Sequence, residues 1–587
     1  MKKIFFALLG VIVLLSSCAK DSYYIEQNPY RKIIEYAPST FTMDVPGDLT
    51  PITEGISSWI TMSVSGKTAT FTVRRNTTGL IRRAEYKIAG GGILAISQRA
   101  HSLDAVLSTS LKSQTPGAAS VNVILSSSFV DDYESWGIIY GKENDMSKGK
   151  DVPQAGKPAA GVNLAAINDL EDNTDYFVWA YVISTEGDKI YTKDVLGIIP
   201  PVFVTDGAKL QEAIAGAKDF AEVRLIAGAT VPAPLYLRDN VAVSGGWNAD
   251  FSEKDINSKN VIDGAGTSSC VFVGVNPADK SKYQAVNCKI ENFEIRNGDG
   301  TLNGGHGAAI LVCGQVVVKD CWIHDCFADG TGAAIYLDNA GRVGDLTLVN
   351  CLVENNKGTG HGAALFTEET ATITLIGNII IDNECWGKDG YSGAIMANAN
   401  TTARLINNTF VNNTNFPEYG NDWESINIRK SSSKVLYANN IVAHNRYFPA
   451  KTSEEQTAYR EKLEKNDPSL TPHSDCPIQP YAVAFQDLEV ENVAVLNNLF
   501  EGNSQSDLVK RGSDAVKALV SSATFFKPLN FDLSTILDEN WNPKGDIVGA
   551  GSLDGGVSGF LATYPDDIYG NPRVSNGKVS IGAVANK

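Results

Sequence analysis

A repeat of roughly thirty residues runs from residue 287 to 503 and constrains the fold more than any other feature of the chain. Its clearest unit is a six-residue segment that begins with Asn, Asp or Gly and carries apolar side chains inside it. The starts lie 27–32 residues apart, except for a last interval of 58 that predicts two repeats. The segments are 292–297, 320–325, 350–355, 377–382, 407–412, 439–444 and 497–502.

A second segment repeats with the same period, as Gly-Ala-Ala-Ile, Gly-Ala-Ala-Leu or Gly-Ala-Ile at 307–310, 332–335, 362–365 and 393–395. Three short strands and three turns occupy about 25–30 residues, which is one coil of a right-handed parallel β-helix. Small residues fit its tight corners, and Asn at one turn position is expected to form an amide ladder between coils. The helix-favouring segment 206–214 is expected to cover the first coil.

The predicted fold class is therefore all-β: a right-handed parallel β-helix over 201–587, preceded by two small β-sandwich domains. The sandwiches are predicted at 24–100 and 101–200, where strands of alternating polarity such as 69–73 and 121–125 are separated by turns. Residues near 450–480, charged and then rich in proline, predict an insertion that projects from one coil.

The N-terminus predicts export. Lys2 and Lys3 precede an apolar run, 4–15. This run is too short to span a bilayer, which requires a helix of about 20 residues. The sequence Leu-Ser-Ser-Cys at 15–18 resembles the lipobox of bacterial lipoproteins. That resemblance implies a signal peptide at 1–17, lipidation of Cys18, a tether at 18–23 and an outer-membrane lipoprotein exposed at the cell surface, attached to the membrane through its N-terminal lipid.

Two further resemblances concern the small domains. Trp59, the strand 70–73, Asn76, Arg82 and the strand 96–98 follow one another as in the BACON domain, an immunoglobulin-like sandwich of surface glycan-utilisation proteins. Residues 101–200 are similar to fibronectin type III modules, with 170–176 resembling a tyrosine corner. Trp59 is expected in the core, and both domains are expected to act as spacers.

The long C-terminal region resembles bacterial surface β-helix proteins of the pectin-lyase-like superfamily, including chlamydial-type polymorphic outer-membrane proteins. The resemblance is carried by Gly-Gly-Trp at 245–247, Ile-Asp-Gly at 262–264, the repeats above and the ending Asp-Ile-Tyr-Gly-Asn-Pro-Arg at 567–573. It implies the fold but leaves the activity open, because binders, adhesins, hydrolases and lyases share this scaffold.

Charge and cysteine usage exclude two classes of partner or site. The chain has 50 Lys and Arg against 67 Asp and Glu, a formal charge of −17, so a broad basic surface for nucleic acid is not expected. Six of the cysteines fall between 288 and 385 without a C-x-x-C zinc pattern. They are expected to pack inside the coils as small apolar residues.

The predicted binding site is a column of loops between the Asn/Asp turns and the Gly-Ala strands. Aromatic rings beside carboxylates suit sugars, which stack their C–H faces on rings and offer hydroxyls to acceptors. The alternative is that the rings pack the loops onto the coils. The predicted substrate-binding residues are Glu384, Trp386, Lys388, Asp389, Tyr391, Tyr419, Asp422 and Trp423.

These features predict a cell-surface lipoprotein whose β-helix binds, and in one version processes, a complex extracellular polysaccharide. The alternative is an adhesin or structural surface protein that contacts host or neighbouring-cell proteins. As an enzyme it would be a polysaccharide lyase, which could use Ca²⁺, or a glycoside hydrolase. No catalytic residue or metal ligand can be assigned, and His306 and His361, at equivalent steps of the repeat, are expected to be structural.

Overall fold

The structure is a computed structural model. It describes residues 30–76, 80–99, 107–125, 130, 133–184, 187, 189–338, 344–386, 392–415, 424–430, 432–447, 452, 454–455, 457–458, 461 and 476–585. The predicted signal peptide, tether and Cys18 lie outside these residues, as does most of the predicted insertion. Within them, no helix is both long and apolar enough to cross a membrane. The chain divides into two compact units, one ending at Ile198 and the other beginning essentially at Ile199.

The first unit begins with a sandwich of two sheets. Phe71, Tyr86 and Ile96 lie in its core, and Trp59 is buried with them as expected. The Arg82 guanidinium lies 4.8 Å from the centre of the Trp59 ring. One sheet contains Arg31–Ile34, Ile93–Gln98, Arg82–Ile88 and Leu49–Pro51, and the other contains Ser39–Asp44, Thr68–Val73 and Ile60–Ser65.

A second sandwich completes this unit. Its core contains Val121, Ile138, Tyr176 and Val178, and the Tyr140 hydroxyl donates to the carbonyl of Asn168 at 2.8 Å. The likeness of the two sandwiches to BACON and fibronectin modules stays a prediction. One sheet contains Lys150–Gln154, Tyr133–Gly141, Tyr176–Ser184, Lys189–Tyr191 and Leu196–Ile198, and the other contains Gly161–Asn168, Ala118–Leu125 and Leu107–Thr115.

The second unit is a right-handed parallel β-helix with three long sheets, and the predicted fold class is confirmed. Sheet I consists of Val202–Val204, Glu222–Ile226, Ala242–Trp247, Ala285–Glu291, Gly314–Lys319, Gly344–Val349, Ala371–Ile376, Thr402–Ile406, Lys434–Ala438 and Val493–Leu496. Sheet II consists of Thr230–Pro232, Asn260–Asp263, Phe293–Arg296, Trp322–His324, Leu352–Glu354, Ile379–Ile381, Thr409–Val411, Ile441–Ala443, Asn498–Gly502 and Thr524–Pro528. Sheet III consists of Leu235–Leu237, Val271–Val273, Ile310–Val312, Ile335–Leu337, Leu365–Thr367, Ile395–Ala397, Ile426–Arg429, Val483–Gln486 and Val509–Lys510.

The register between coils matches the alignment of the repeats. Ile295 pairs with Ile323, which pairs with Val353, and the series continues along sheet II with every member pointing into the core. Val442 then pairs directly with Phe500. The prediction of two repeats in the last interval is therefore wrong, because this interval is a single coil enlarged by the inserted segment.

Asparagines stabilise the turns on both sides of sheet II as two ladders rather than the one expected. In the first ladder the Asn378 amide donates to Asn408 Oδ1 at 2.9 Å, and Asn408 donates in turn to Asn440. In the second, Asn383 donates to Asn413 at 2.9 Å. Cysteines continue both ladders toward the N-terminal coils, where Cys351 and Cys326 occupy the equivalent positions. All eight described cysteines are buried free thiols.

Helix α1, Leu210–Gly216, covers the first coil with Leu210 and Ile214, as expected. After the last coil, residues 529–585 return along the outside of sheets I and II, and we call this segment the C-terminal strap. Helices α2 and α3 are Asp514–Ser522 and Val557–Thr563, and a small hairpin joins Val574–Ser575 to Lys578–Val579. Short 3-10 helices occur at Ile56–Ser58, Met146–Lys148, Gly207–Lys209, Thr301–Asn303, Val490–Asn492, Gln505–Asp507, Leu533–Thr535 and Gly545–Ile547.

Candidate functional site

The predicted column of loops follows a fourth, short sheet, sheet IV, and only two of its predicted binding residues are described. Glu384 and Trp386 are both buried, and the indole Nε1 donates to Glu384 Oε2 at 2.6 Å. The Lys357 ammonium lies 5.4 Å from the centre of the Trp386 ring. Trp386 therefore packs against the coils rather than presenting its ring to solvent. Sheet IV consists of Phe327–Ala328, Lys357–Gly358, Glu384–Cys385, Thr414–Asn415 and Arg446–Tyr447.

The other predicted binding residues, Lys388, Asp389, Tyr391, Tyr419, Asp422 and Trp423, lie outside the described residues, so their role stays a prediction. The calcium prediction also depends in part on Asp389. Among the described residues, no group of three or more His, Cys, Asp or Glu side chains is arranged to hold a metal ion. His306 and His361, which the sequence predicts to be structural, both stack on aromatic rings: His306 on Tyr336 with ring centres 4.7 Å apart, and His361 on Phe366 at 6.0 Å.

A large open groove lies elsewhere, on the outer face of sheet II over its N-terminal coils. Its volume is about 700 Å³. The floor is formed by outward-facing residues of four successive strands, and the walls are formed by the loop around residues 256–259 and by the C-terminal strap. The lining residues are Ala227, Gly228, Ile256, Asn257, Ser258, Lys259, Glu294, Cys321, Trp322, Asn350, Leu352, Ile379, Trp541, Ile568 and Tyr569.

Trp322 is the central ring of the floor. It pairs in register with Glu294 on the preceding coil and with Leu352 on the next, so the three side chains form one outward column about 4.8 Å apart. The His324 ring stacks on the indole, with centres 4.0 Å apart and planes at 24°. His324 therefore holds the indole in a fixed orientation while Trp322 remains partly exposed to the groove.

Two carboxylates flank this stacked pair. Glu294 Oε1 accepts from Arg296 Nη1 at 2.6 Å and lies 3.3 Å from His324 Nε2. On the other side, the Trp322 Nε1 group donates to Glu354 Oε1 at 2.7 Å. The second oxygen of each carboxylate, Oε2, has no hydrogen-bond partner among the described residues. Each is thus available as an acceptor beside the indole ring.

Burial and four neighbouring groups together set the ionisation of Glu354. Burial raises the pKa of the Glu354 carboxyl above its ordinary value. The negative charges of Asp382 and Asp325 raise the pKa further, while the hydrogen bond from Trp322 and the charge of His324 lower it.

Two cations lie in or beside the groove, Lys259 in its lining and Arg296 next to Glu294, and both are held by protein groups. Arg296 Nε donates to Asp263 Oδ2 at 2.9 Å, so this guanidinium is shared between Asp263 and Glu294. Lys259 Nζ donates to the carbonyls of Ile256 and Asp320, both at 2.7 Å, and to Asn292 Oδ1 at 3.1 Å. Three acceptors use all three protons of that ammonium group.

The wall formed by the strap is fixed by the buried Arg573. Its Nη1 donates to the carbonyl of Ala583 at 2.9 Å, and its Nη2 donates to Asn350 Oδ1. Asn350 donates in return to the carbonyls of Asp566 and Asp567 at 3.0 and 3.2 Å. Gly377 leaves the space for this guanidinium, because a Cβ atom there would lie 1.7 Å from Arg573 Nη2. Ile568 and Tyr569 are thereby held against the groove.

Sequence reasoning missed this groove, although its floor lies in the aligned segments. The outward positions carry Glu294 and Arg296, then Trp322 and His324, then Leu352 and Glu354, whereas the later coils carry mostly aliphatic side chains there. Polar and aromatic residues at the outward positions of successive coils could have indicated a binding surface on this face of sheet II. The strap residues Trp541 and Tyr569 gave no such signal, because their approach to the groove depends on contacts across more than 200 residues.

Comparisons with known proteins identify the fold. The family described as "Right handed beta helix region" matches residues 241–416. A search of curated proteins found no match. The chain is similar in structure to a family 28 exopolygalacturonase of Yersinia enterocolitica, with 10% identity, a TM-score of 0.19 and coverage of 68% of this chain and 92% of the other.

Two further structures are similar to parts of the chain. Pectate lyase PelI of Erwinia chrysanthemi, solved with tetragalacturonic acid, shows 11% identity, a TM-score of 0.15 and coverage of 56% and 85%. The FN1–FN3 domains of chicken CNTN1 show 13% identity and a TM-score of 0.16. That match covers 29% of this chain and 64% of the other, less than two thirds of its length. These TM-scores are too low to support an argument about function.

Proposed function

We propose that this protein binds a complex extracellular polysaccharide in the groove over sheet II. The observation that carries the proposal is the partly exposed Trp322 ring, fixed by His324 and flanked by two carboxylates that each keep an unpartnered oxygen. An indole offers a flat apolar surface to the C–H face of a sugar, and carboxylate oxygens accept hydrogen bonds from its hydroxyls. Trp322 and Glu294 line one open groove of about 700 Å³, and Glu354 is hydrogen-bonded to the indole nitrogen of Trp322.

The shape of the groove suits a chain rather than a single sugar. The floor crosses several coils, each about 4.8 Å from the next, and Trp541 and Tyr569 add aromatic surface from the strap. Neighbouring sugar units can therefore contact different coils. One wall comes from a loop of an early coil and the other from the strap. The two sides of a bound chain would therefore contact different side chains.

The test compares two tryptophans in the full-length protein, solubilised in detergent and applied to a glycan array. Trp322→Ala removes the proposed stacking surface and is expected to weaken binding of the recognised glycan at least about tenfold. Trp386→Ala is the matched variant in the column that the sequence predicts, where the ring is buried against the coils. Unchanged binding by Trp322→Ala would contradict the proposal, and loss of binding only in Trp386→Ala would assign the site to the column instead.

Processing of the bound glycan is measured in the same preparations. Release of reducing ends reports hydrolysis, and ultraviolet absorbance of unsaturated products reports lyase cleavage. If the native chain cleaves the glycan and Glu354→Gln does not, the proposal extends from binding to catalysis. If the native chain binds the glycan without cleaving it, the protein is a binding protein.

We also propose that the protein is an outer-membrane lipoprotein exposed at the cell surface, with its lipid on Cys18. The lipobox-like sequence at 15–18 supports this placement. Cys18→Ser is expected to abolish incorporation of labelled palmitate and to move the protein from the membrane to the soluble fraction. Surface exposure is checked by protease digestion of intact cells, and a chain protected from protease would contradict it.

A further inference from the structure

We propose that the groove selects glycans that carry free amino groups and disfavours glycans that carry uronic acids. This inference rests on the proposed function and specifies the chemistry of its ligand. It follows from an imbalance between the charged groups in and beside the groove: the cations are already bound by the protein, and the carboxylates keep acceptor capacity.

Recognition of a uronate requires a cation that can turn to the ligand carboxylate. Lys259 cannot do so without giving up a partner, because two backbone carbonyls and the Asn292 amide oxygen take its three protons. The charge of Arg296 is balanced by Asp263 and Glu294, which lie 2.9 and 2.6 Å from its nitrogens. A uronate in the groove would therefore find its charge unpaired.

The carboxylates, unlike the cations, are only partly paired with protein groups. Oε2 of Glu294 and Oε2 of Glu354 have no partner among the described residues, and they belong to carboxylates on opposite sides of the Trp322 and His324 rings. Asp325 and Asp382 lie near enough to Glu354 to raise its pKa, so the negative potential extends along the turn beside sheet II. An ammonium group on a sugar stacked on Trp322 would be attracted both to these oxygens and to the ring face.

The groove is also open, so water screens these charges in part. The selectivity is therefore expected to be a ranking of affinities rather than an absolute exclusion, and it should weaken as salt shortens the Debye length. Hydroxyl groups of a neutral sugar can still donate to the same oxygens. Neutral glycans should consequently rank between amino-bearing and uronate-bearing ones.

The experiment uses the full-length protein in detergent on an array that includes glucosamine, N-acetylglucosamine and galacturonate oligosaccharides of equal length. At about pH 6 a free amine is protonated and a uronate is ionised. We expect about tenfold tighter binding of the amine than of its N-acetylated form at low salt, and the weakest binding for the uronate. Equal or tighter binding of the uronate would overturn the inference.

Substitutions distinguish attraction of the amine by Glu294 and Glu354 from its attraction by the negative net charge of the whole protein. Glu294→Gln and Glu354→Gln keep the size of each side chain and are expected to lower the amine-to-acetyl affinity ratio severalfold. Glu212→Gln, an exposed substitution on α1, is the matched control and should leave the ratio unchanged. An equal fall of the ratio in all three variants would mean that net charge alone attracts the amine, which overturns the inference.

The two proposals fail in different ways. If no carbohydrate on the array binds, or if binding survives Trp322→Ala, the proposed function is wrong. If one glycan binds through Trp322 but the three charge classes bind equally well, the groove binds sugars and the charge selection is wrong.

Discussion

The outer face of sheet II has two halves that the same repeat builds differently. In the early coils, the outward column carries Val261, Glu294 and Trp322, and the last two of these line the open groove. In the later coils, the same column carries Thr409 and Ile441, and the strap covers them. The inward side chains are aliphatic or aromatic in both halves. The repeat thus determines the core, while the outward positions determine whether a coil faces solvent or the strap.

The largest expected difference between the two halves appears when one charge is placed in each. Ile441 packs against Ile547 and Ile581 of the strap and has no exposed surface, so Ile441→Asp buries an unpaired carboxylate and is expected to cost about 4–5 kcal/mol of stability. Val261→Asp, at the equivalent position of the open half, should cost less than about 1 kcal/mol. The melting temperatures of the two variants measure the difference, and equal losses would show that the strap does not seal the later coils.

A second prediction concerns the attachment of the strap. Arg573→Met leaves Asn350 Oδ1 and the Ala583 carbonyl without their donor, and we expect a loss of about 3 kcal/mol. Because the strap forms one wall of the groove, it should also become sensitive to protease while the coils stay folded. Limited proteolysis with mass spectrometry detects cleavage within 529–585.

Gly377 provides the control for this attachment. Gly377→Asn restores the residue type that most other coils have at this turn, but its Cβ would clash with the Arg573 guanidinium. The substitution should therefore be harmful with Arg573 present and much less harmful in the Arg573→Ala background. Additive losses in this double-mutant cycle would contradict the contact.

Much of the fold could be predicted because coil contacts are local in sequence. Ile323 and Val353 pair at the spacing of the repeat, so aligning the segments already gives the register. The strap could not be predicted in this way, since Asn350 meets Asp566 at a separation of 216 residues and no repeat relates the two. The groove was missed for the same reason: its floor is periodic and visible in the sequence, but it becomes a groove only when the strap adds a wall.

The ladders give a third, smaller contrast between early and late coils. Asn408 accepts from the backbone and the amide of Asn378 and donates to Leu375 and Asn440, all within a buried turn. Asn408→Ala is expected to cost about 2–3 kcal/mol because these groups lose their partners. Cys351→Ala, at the same position of an earlier coil, removes a sulfur acceptor 3.4 Å from the Cys321 N–H and should cost about 1 kcal/mol. Denaturant unfolding of both variants checks the order, and a larger loss in Cys351→Ala would contradict it.

The smallest expected effect is the pH dependence that Glu354 contributes in the open half. The pKa of Glu354 is raised in the folded protein, chiefly by burial, so the folded chain holds this proton more tightly than the unfolded chain. Its contribution to stability is therefore complete below the unfolded pKa of about 4.3 and is lost as pH rises through the raised pKa. Glu354→Gln removes this loss, and the variant should gain stability relative to the native chain as pH rises from about 4 to 7, by about 1 kcal/mol or less, because water screens a half-buried group. Glu212→Gln on α1 is the exposed control, and unfolding at several pH values measures both. A relative stability of Glu354→Gln that stays flat or falls with pH would mean that the carboxylate is stabilised beside Trp322.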